Sequence, residues 1–460
     1  MTKTLPRLPF DVVKDQLCVR CGACFDLCPK SLIRPDNQLY PAFSKHDKAK
    51  CNGCGLCMRA CPSNVDFKKL YMECFGRITA PHDIAGVLKN VYVGYSANPE
   101  IRYMASSGGV VTELLLFLLG EGFIDQALVC GVDAKNPLRP NSYLAKTAKD
   151  IIDAAQSKYS VAPQMNLLGE IIRSEAKTAI VGLPCQIHAF RKMESHSKKR
   201  TANVKLVIGL VCHRTLEIDA LPKMLEVSDI KPDTVKKAEY RSGKTWPGSV
   251  HVFLKNGQKK LLIQDYKNAF NYLRMFYSPQ RCLTCIDFTA ELSDLSVMDP
   301  WFRDESGNYP YSHATVVFTR NNKAEYYLGR AVANGNLHIE ELAKNVKIKS
   351  DSVLPQEIIE RSQLKYFTKL KKRIIPARIK RYQKAGKPYP VYHVDFPPPS
   401  LKDRISEHVD SMTRLPGRWE WSRDLGMRIA FSKFGNKLMR LRNDYKTEKA
   451  KFQSRIRKQS

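Results

Sequence analysis

Long hydrophobic runs are missing from this sequence. The densest apolar stretch, Leu114 to Leu119, falls far short of the roughly 18 residues that span a bilayer, so no transmembrane segment is expected. The opening MTKTLPRLPFDVVKDQ lacks the basic-then-apolar order of a signal peptide, and the expected location is the cytosol. Thiols stay reduced there, so the 14 Cys point to metal rather than disulfides. Acid is also scarce: 45 Asp plus Glu stand against 75 Lys plus Arg, a formal charge of +30. A 43% apolar content still excludes a mostly disordered chain. No G-x-G-x-x-G follows a predicted strand, so a standard Rossmann dinucleotide site is not expected.

Cysteine is what the sequence does have, and it is ordered. Cys18, Cys21, Cys24 and Cys28, closed by Pro29, read C-x2-C-x2-C-x3-C-P; Cys51, Cys54, Cys57 and Cys61, closed by Pro62, repeat the run. Each run is the bacterial ferredoxin pattern for a [4Fe–4S] cluster, in which the fourth Cys ligates the other cluster. That rule assigns Cys18, Cys21, Cys24 and Cys61 to one cluster and Cys51, Cys54, Cys57 and Cys28 to a second. Gly22, Gly53 and Gly55 suit the tight backbone around such ligands. Zinc sites also use C-x2-C pairs, but take two Cys from each of two segments. Two neighbouring clusters carry single electrons and imply a donor and an acceptor.

From about residue 90, short β-rich runs (127–132, 178–183, 204–211 and 313–319) alternate with helical stretches such as 109–119. The alternation predicts a mainly parallel or mixed α/β sheet. Ile180-Val181-Gly182-Leu183-Pro184-Cys185 echoes Val207-Ile208-Gly209-Leu210-Val211-Cys212. Each reads as a buried strand ending in Cys, at the carboxyl edge where open α/β sheets bind ligands. Cys282 and Cys285 add a C-x2-C pair, which makes four thiols, enough for a third cluster. On spacing alone they read equally as small buried hydrophobes. Ser106-Ser107-Gly108-Gly109 precedes the helix from Val110 and could offer N–H groups to an anion, or serve as an ordinary helix start. Cys74 and Cys130 are left as plain thiols.

These segments together resemble the coenzyme F420-reducing hydrogenase/dehydrogenase beta-subunit family. The resemblance runs over about residues 90–392. It is carried by Ala105 to Thr112, Ser157-Lys158-Tyr159, Gly182-Leu183-Pro184-Cys185-Gln186, Ile208 to Cys212, Cys282 to Asp287, Ala290 to Ser296, and Ala377 to Pro390. It implies a flavoprotein that binds FAD and exchanges hydride with F420, with Cys185, Cys212, Cys282 and Cys285 holding a [4Fe–4S] cluster. FAD contacts would fall on Ser107, Gly108, Gly109, Val110, Thr112, Ser157, Lys158, Tyr159, Pro184 and Gln186. Electron and hydride transfer take place at the flavin, so no side chain is assigned as a catalytic acid or base. His188 and His213, beside cluster Cys, are expected as packing or supporting residues. One departure stands out. Where the family has a Gly-Asp pair and further glycines, this chain has Val297-Met298-Asp299-Pro300-Trp301, and its later loop reads Ser306-Gly307-Asn308-Tyr309-Pro310.

The expected organisation is a two-cluster ferredoxin-like α+β domain at 1–78, an FAD-binding α/β domain at 88–350, a basic helical segment at 351–392 broken at Pro376, and a basic extension at 393–460. Residues 361–460 hold 27 Lys/Arg and 8 Asp/Glu, whereas the first 360 hold 48 and 37, so the charge is largely C-terminal. Within that extension Leu425, Ile429, Phe431, Phe434 and Leu438 recur at helical spacing. The tail reads as solvated, as a dock for an acidic protein such as ferredoxin, or as a peripheral membrane contact. Nucleic acid is disfavoured, because no groove-reading or aromatic-interleaved motif accompanies the charge. Three functions remain: a ferredoxin-linked, FAD-dependent F420 oxidoreductase; the same electron path with another small-molecule acceptor; or a non-catalytic electron-transfer subunit of a larger complex.

Overall fold

The computed structural model describes residues 8–80, 83–133, 135–242, 246–264, 266–302, 309–342, 356–394, 396, 398–412, 423, 425 and 427–428. Its frame is an eight-stranded sheet: β1 (Asn90–Ser96), β2 (Gln126–Val132), β3 (Pro140–Ala145), β4 (Thr178–Gly182), β5 (Val204–Leu210), β6 (Leu295–Met298), β7 (Thr315–Thr319) and β8 (Leu337–Glu341), in the order β8-β1-β7-β6-β5-β4-β2-β3. Strands β2, β4, β5 and β6 are mutually parallel neighbours. Antiparallel pairings complete both flanks. The sheet is therefore mixed, with a parallel centre.

Alternation along the strands sends side chains to opposite faces. Leu128, Ile180, Val207, Val316 and Phe318 join one apolar cluster. Ala127, Val129, Ala179, Val181, Leu206, Ile208 and Val317 join another. The second face is covered by the helices Val110–Gly120 and Asn322–Ala333, through Leu114, Leu118, Ala324 and Leu328. On the first face lie residues from the N-terminal cysteine segment (Ala23, Leu27, Phe67, Leu70, Tyr71) and from the basic helical segment (Leu364, Phe367, Leu370, Ile374), in one continuous core. Gly22 shows how close the cysteine segment sits: at φ +85°, a Cβ there would lie 2.9 Å from the Pro163 carbonyl oxygen.

A separate three-stranded antiparallel ribbon (Val235–Ser242, Ser249–Leu254, Lys259–Ile263) packs with the helices Ala220–Glu226 and Tyr266–Phe276 around a third core, which also takes in Met427. The basic segment runs Gln356–Arg361, Leu364–Lys369, a π-helical turn Leu370–Ile374, then Ile375–Lys384. Pro376 sits in the first turn of that last helix, and the wider π turn ahead of it accommodates a residue that cannot donate a backbone hydrogen bond.

The extension is not simply a solvated tail. Helix Leu401–Met412 packs onto the basic segment. Arg373 pairs with Asp403, Arg378 with Glu407 at 3.1 Å and Asp410 at 2.6 Å, and Arg381 with Glu407 at 2.9 Å. Ile429, Phe431, Phe434 and Leu438 lie outside the described residues, as do Ser306, Gly307 and Asn308.

Candidate iron–sulfur and ligand site

The ligand loops are short turns held by glycine: Gly22 and Gly55 cap the helices Ala23–Asp26 and Leu56–Arg59 in left-handed conformation. Tertiary structure groups the thiols. Burial pushes Cys18 up to about 12, and Cys61 adds to the rise. Burial also raises Cys24, with Cys21, Cys18 and Cys61 adding to the rise. Burial takes Cys57 to about 11, joined by Cys54, Cys28 and Cys51. The electrostatic neighbours thus fall along the lines of the crossed sets expected from the ferredoxin pattern. Cys24 also lies within electrostatic reach of Cys57 in the other set. Among the described residues, no group of three or more His, Cys, Asp or Glu is arranged to hold a single metal ion. Cys51 and Cys54 are exposed, so this set faces the surface.

Because β4 and β5 are parallel, Cys185 and Cys212 emerge at the same sheet edge. Burial raises the half-buried Cys185, with Cys285, Cys282, Cys212 and, last, Cys21 adding to the rise. Cys282 and Cys285 come from the short turn Gln280–Thr284 and its end. Four thiols from three segments are thus brought together, beside the first N-terminal set. Around them, His188 Nε2 lies 2.8 Å from Asp287 Oδ2, and the Cys285 thiol is 3.3 Å from the Asp287 carbonyl oxygen. Arg281 donates to Tyr392 Oη at 2.6 Å. Arg20 donates to Glu217 Oε2 at 2.5 Å, while its own N–H reaches Cys18 Sγ at 3.4 Å. His188 therefore acts through Asp287, as a supporting residue.

The same sheet edge opens into a cavity of about 660 Å3, well within the range of cofactor sites. Ser107, Gly109, Val110, Thr112, Ser157, Lys158, Tyr159 and Gln186 line it, and so does Cys212. Gly108 and Pro184 do not. Gly108 is a close-packing position, where a Cβ would fall 2.7 Å from the Gly94 carbonyl oxygen. Pro184 opens the helix Pro184–His196. Helix Val110–Gly120 points its N-terminus at the cavity from the left-handed Gly109, an arrangement that favours anions. Ser157 is tied to Ser106 by two hydrogen bonds, at 2.9 and 3.1 Å. Gln186 has both ends committed, accepting from Leu183 N at 2.7 Å and donating to Ala162 O at 3.1 Å. Lys158 Nζ donates to the Ala154 and Ala155 carbonyls, and burial lowers it to about 8.

Other cavity residues carried no sequence signal: Cys130, Arg214, Tyr266, Phe270 and Arg274. Where the chain departs from the family pattern, Asp299 Oδ2 accepts from Arg241 at 2.5 Å. Trp301 packs against Trp246, ring centroids 4.4 Å apart, and against Tyr309. Trp301 and Tyr309 wall the cavity, so aromatic rings stand where glycine was expected.

Family models for the N-terminal and C-terminal parts of the coenzyme F420 hydrogenase/dehydrogenase beta subunit match residues 91–169 and 175–345, and a 4Fe-4S dicluster domain matches 17–65. The chain belongs to this family, with an N-terminal dicluster ferredoxin-type segment. It is 30% identical to an uncharacterized protein of Methanocaldococcus jannaschii over 77% of this chain and 99% of that one. It is 27% identical to the coenzyme F420-dependent sulfite reductase of the same organism over 74% of this chain. There it spans 50% of the relative's length. A chain of the F420-reducing [NiFe] hydrogenase complex from Methanosarcina barkeri shares the fold, with TM-score 0.51 and 23% identity over 69% of this chain and 99% of that chain.

Proposed function

We propose that this chain is an iron–sulfur flavoprotein oxidoreductase that passes electrons between ferredoxin, or a partner redox subunit, and coenzyme F420. The observation that carries this reading is Cys212. It belongs to the third thiol group and also lines the cavity, while Cys185 of that group neighbours Cys21. A series of sites thus runs from the exposed Cys51 and Cys54 to the cavity wall. The residues suit FAD: a helix N-terminus, the half-buried Lys158 and a largely apolar hollow. When bound, a flavin exchanges one-electron for two-electron chemistry. The protein's own residues hold it, keep water out and set its neighbours.

Protein purified anaerobically is expected to show flavin absorbance, about twelve irons per chain and F420 reduction by reduced ferredoxin. Folded protein without flavin would refute the reading. A second reading keeps the path but changes the acceptor. The Trp301 and Tyr309 wall favours it, because it alters the loop expected to shape the F420 pocket. Protein whose flavin bleaches with reduced ferredoxin yet ignores F420 would select this alternative. Cytosolic placement is part of the proposal; among the described residues no helix is long and apolar enough to cross a membrane. Leu401, Ile405 and Val409, all more than half exposed along one helix, support a docking role for the extension over a wholly solvated one.

A further inference from the structure

We propose that one end of the cavity is a subsite for an oxyanion group, phosphate or carboxylate, of the ligand lying there, built by Arg214, Arg274 and His213. The proposal rests on the reading that the cavity holds the reacting ligands, but not on which acceptor they include.

The three side chains come from separate places. Arg214 and His213 follow Cys212 beyond β5, and Arg274 stands on the helix Tyr266–Phe276 of the ribbon unit. Tyr366, from the basic segment beyond the family match, packs edge-on against His213 with centroids 5.2 Å apart. Arg214 is only 5% exposed, and among the described residues it pairs with no carboxylate. Arg274 gives its two terminal nitrogens to His213 Nδ1 and Asn271 Oδ1. Because His213 Nδ1 accepts, Nε2 carries the ring proton. Three buried donors then stand without an acceptor: Arg214 Nε, Arg274 Nε and His213 Nε2. All three residues line the same cavity.

Among the described residues neither the buried Arg214 nor the half-buried Arg274 has a carboxylate in salt-bridge contact; Asp410 only reaches Arg214 electrostatically, so the positive charge is costly and the unmade buried donors add to that cost. An oxyanion answers both, because guanidinium and carboxylate or phosphate match in geometry and charge. The asparagine and imidazole neighbours add polarity but no negative charge. The rival sinks for the charge are a carboxylate and sulfur: Asp410 and Cys282 lie within electrostatic reach of Arg214, and Cys212 within reach of Arg274. Thiolates holding iron would take part of the field, and the test must separate the two.

The full-length, anaerobically purified protein is titrated with inorganic phosphate by equilibrium dialysis, with flavin, iron and acceptor KM measured alongside. Arg214→Gln and Arg274→Gln are each expected to weaken oxyanion binding by at least about tenfold, while iron content holds. Arg274→Lys is expected to recover part of it, which guards against a folding defect. Two sources of the group are distinguished. Loss of flavin from the variants assigns it to the resident dinucleotide. Retained flavin with a raised acceptor KM or weakened phosphate binding assigns it to the acceptor. Variants that match the wild type in phosphate affinity, flavin retention and acceptor KM overturn the proposal. So do variants that change only iron content or cluster potential. A protein without flavin or F420 activity that still binds phosphate through these residues would sink the functional reading and leave the subsite standing.

Discussion

Lys158 is a half-buried side chain whose amine is lowered from 10.5 to about 8 by desolvation. Between those values the unfolded chain holds a proton that the folded chain has released. Stability therefore rises with pH across that window, and the folded state is penalised below it. Lys158→Met is expected to remove this rise, so the wild-type-minus-variant difference in denaturant midpoint should change between pH 7.5 and 9.5. A flat difference would mean the amine is better solvated than its surroundings indicate. At this scale the sequence was partly legible. The turn at Ser107 and Gly109 is visible as a local helix start, and Thr112 enters only through the family resemblance. Arg214 and Arg274 are not visible, since nothing within a few residues of either says that its partner will be missing.

Charge composition says little at the scale of the element. The basic segment reads as a helix rich in Lys and Arg, yet its Arg378 is 1% exposed and bonds Leu283 O at 2.7 Å, between two cysteine ligands of the proposed third cluster. Its partner Glu407 lies 29 residues later in the sequence, a separation that no periodicity reveals. The interruption expected at Pro376 is not a break: the segment stays helical from Leu364 to Lys384, and a π turn just ahead of the proline absorbs its missing donor. Removing Glu407 and Asp410 together would strand a buried cation, which costs roughly 3–5 kcal/mol. The double alanine variant is thus expected to unfold at distinctly lower denaturant. Deleting residues 393–460 should also loosen the turn that carries Cys282 and Cys285, read as reduced iron retention. Full stability in both variants would show the helix to be an appendage.

Across the whole molecule the fold class was legible, because strand alternation and strand-end cysteines repeat in the sequence. The ribbon 235–263 was not, since its pattern lacks a repeat to compare. Nor was the depth to which the cysteine segment is embedded. Phe67, Leu70 and Tyr71 enter the same core as Phe318 and Phe367, and Tyr71 Oη, Glu291 and Lys371 hydrogen-bond across three segments. Residues 1–78 expressed alone are therefore expected to be poorly soluble, whereas residues 1–412 should stay soluble; a soluble, iron-replete 1–78 fragment would contradict this. Cys285→Ala is expected to lose about four irons while the N-terminal set remains, measured by iron assay and electron paramagnetic resonance.

The scattered origin of the third thiol group sets a timetable for metallation. The first two groups draw on residues 18 to 61, and their ligands are all present early in synthesis. The third needs Cys185 and Cys212 at a finished sheet edge and Cys282 and Cys285 folded against them. Under the proposed assignment, iron for the third group can be taken up only after the strands have paired and most of the chain has left the ribosome. In a pulse-labelled culture the final four irons would then mark the moment of folding itself.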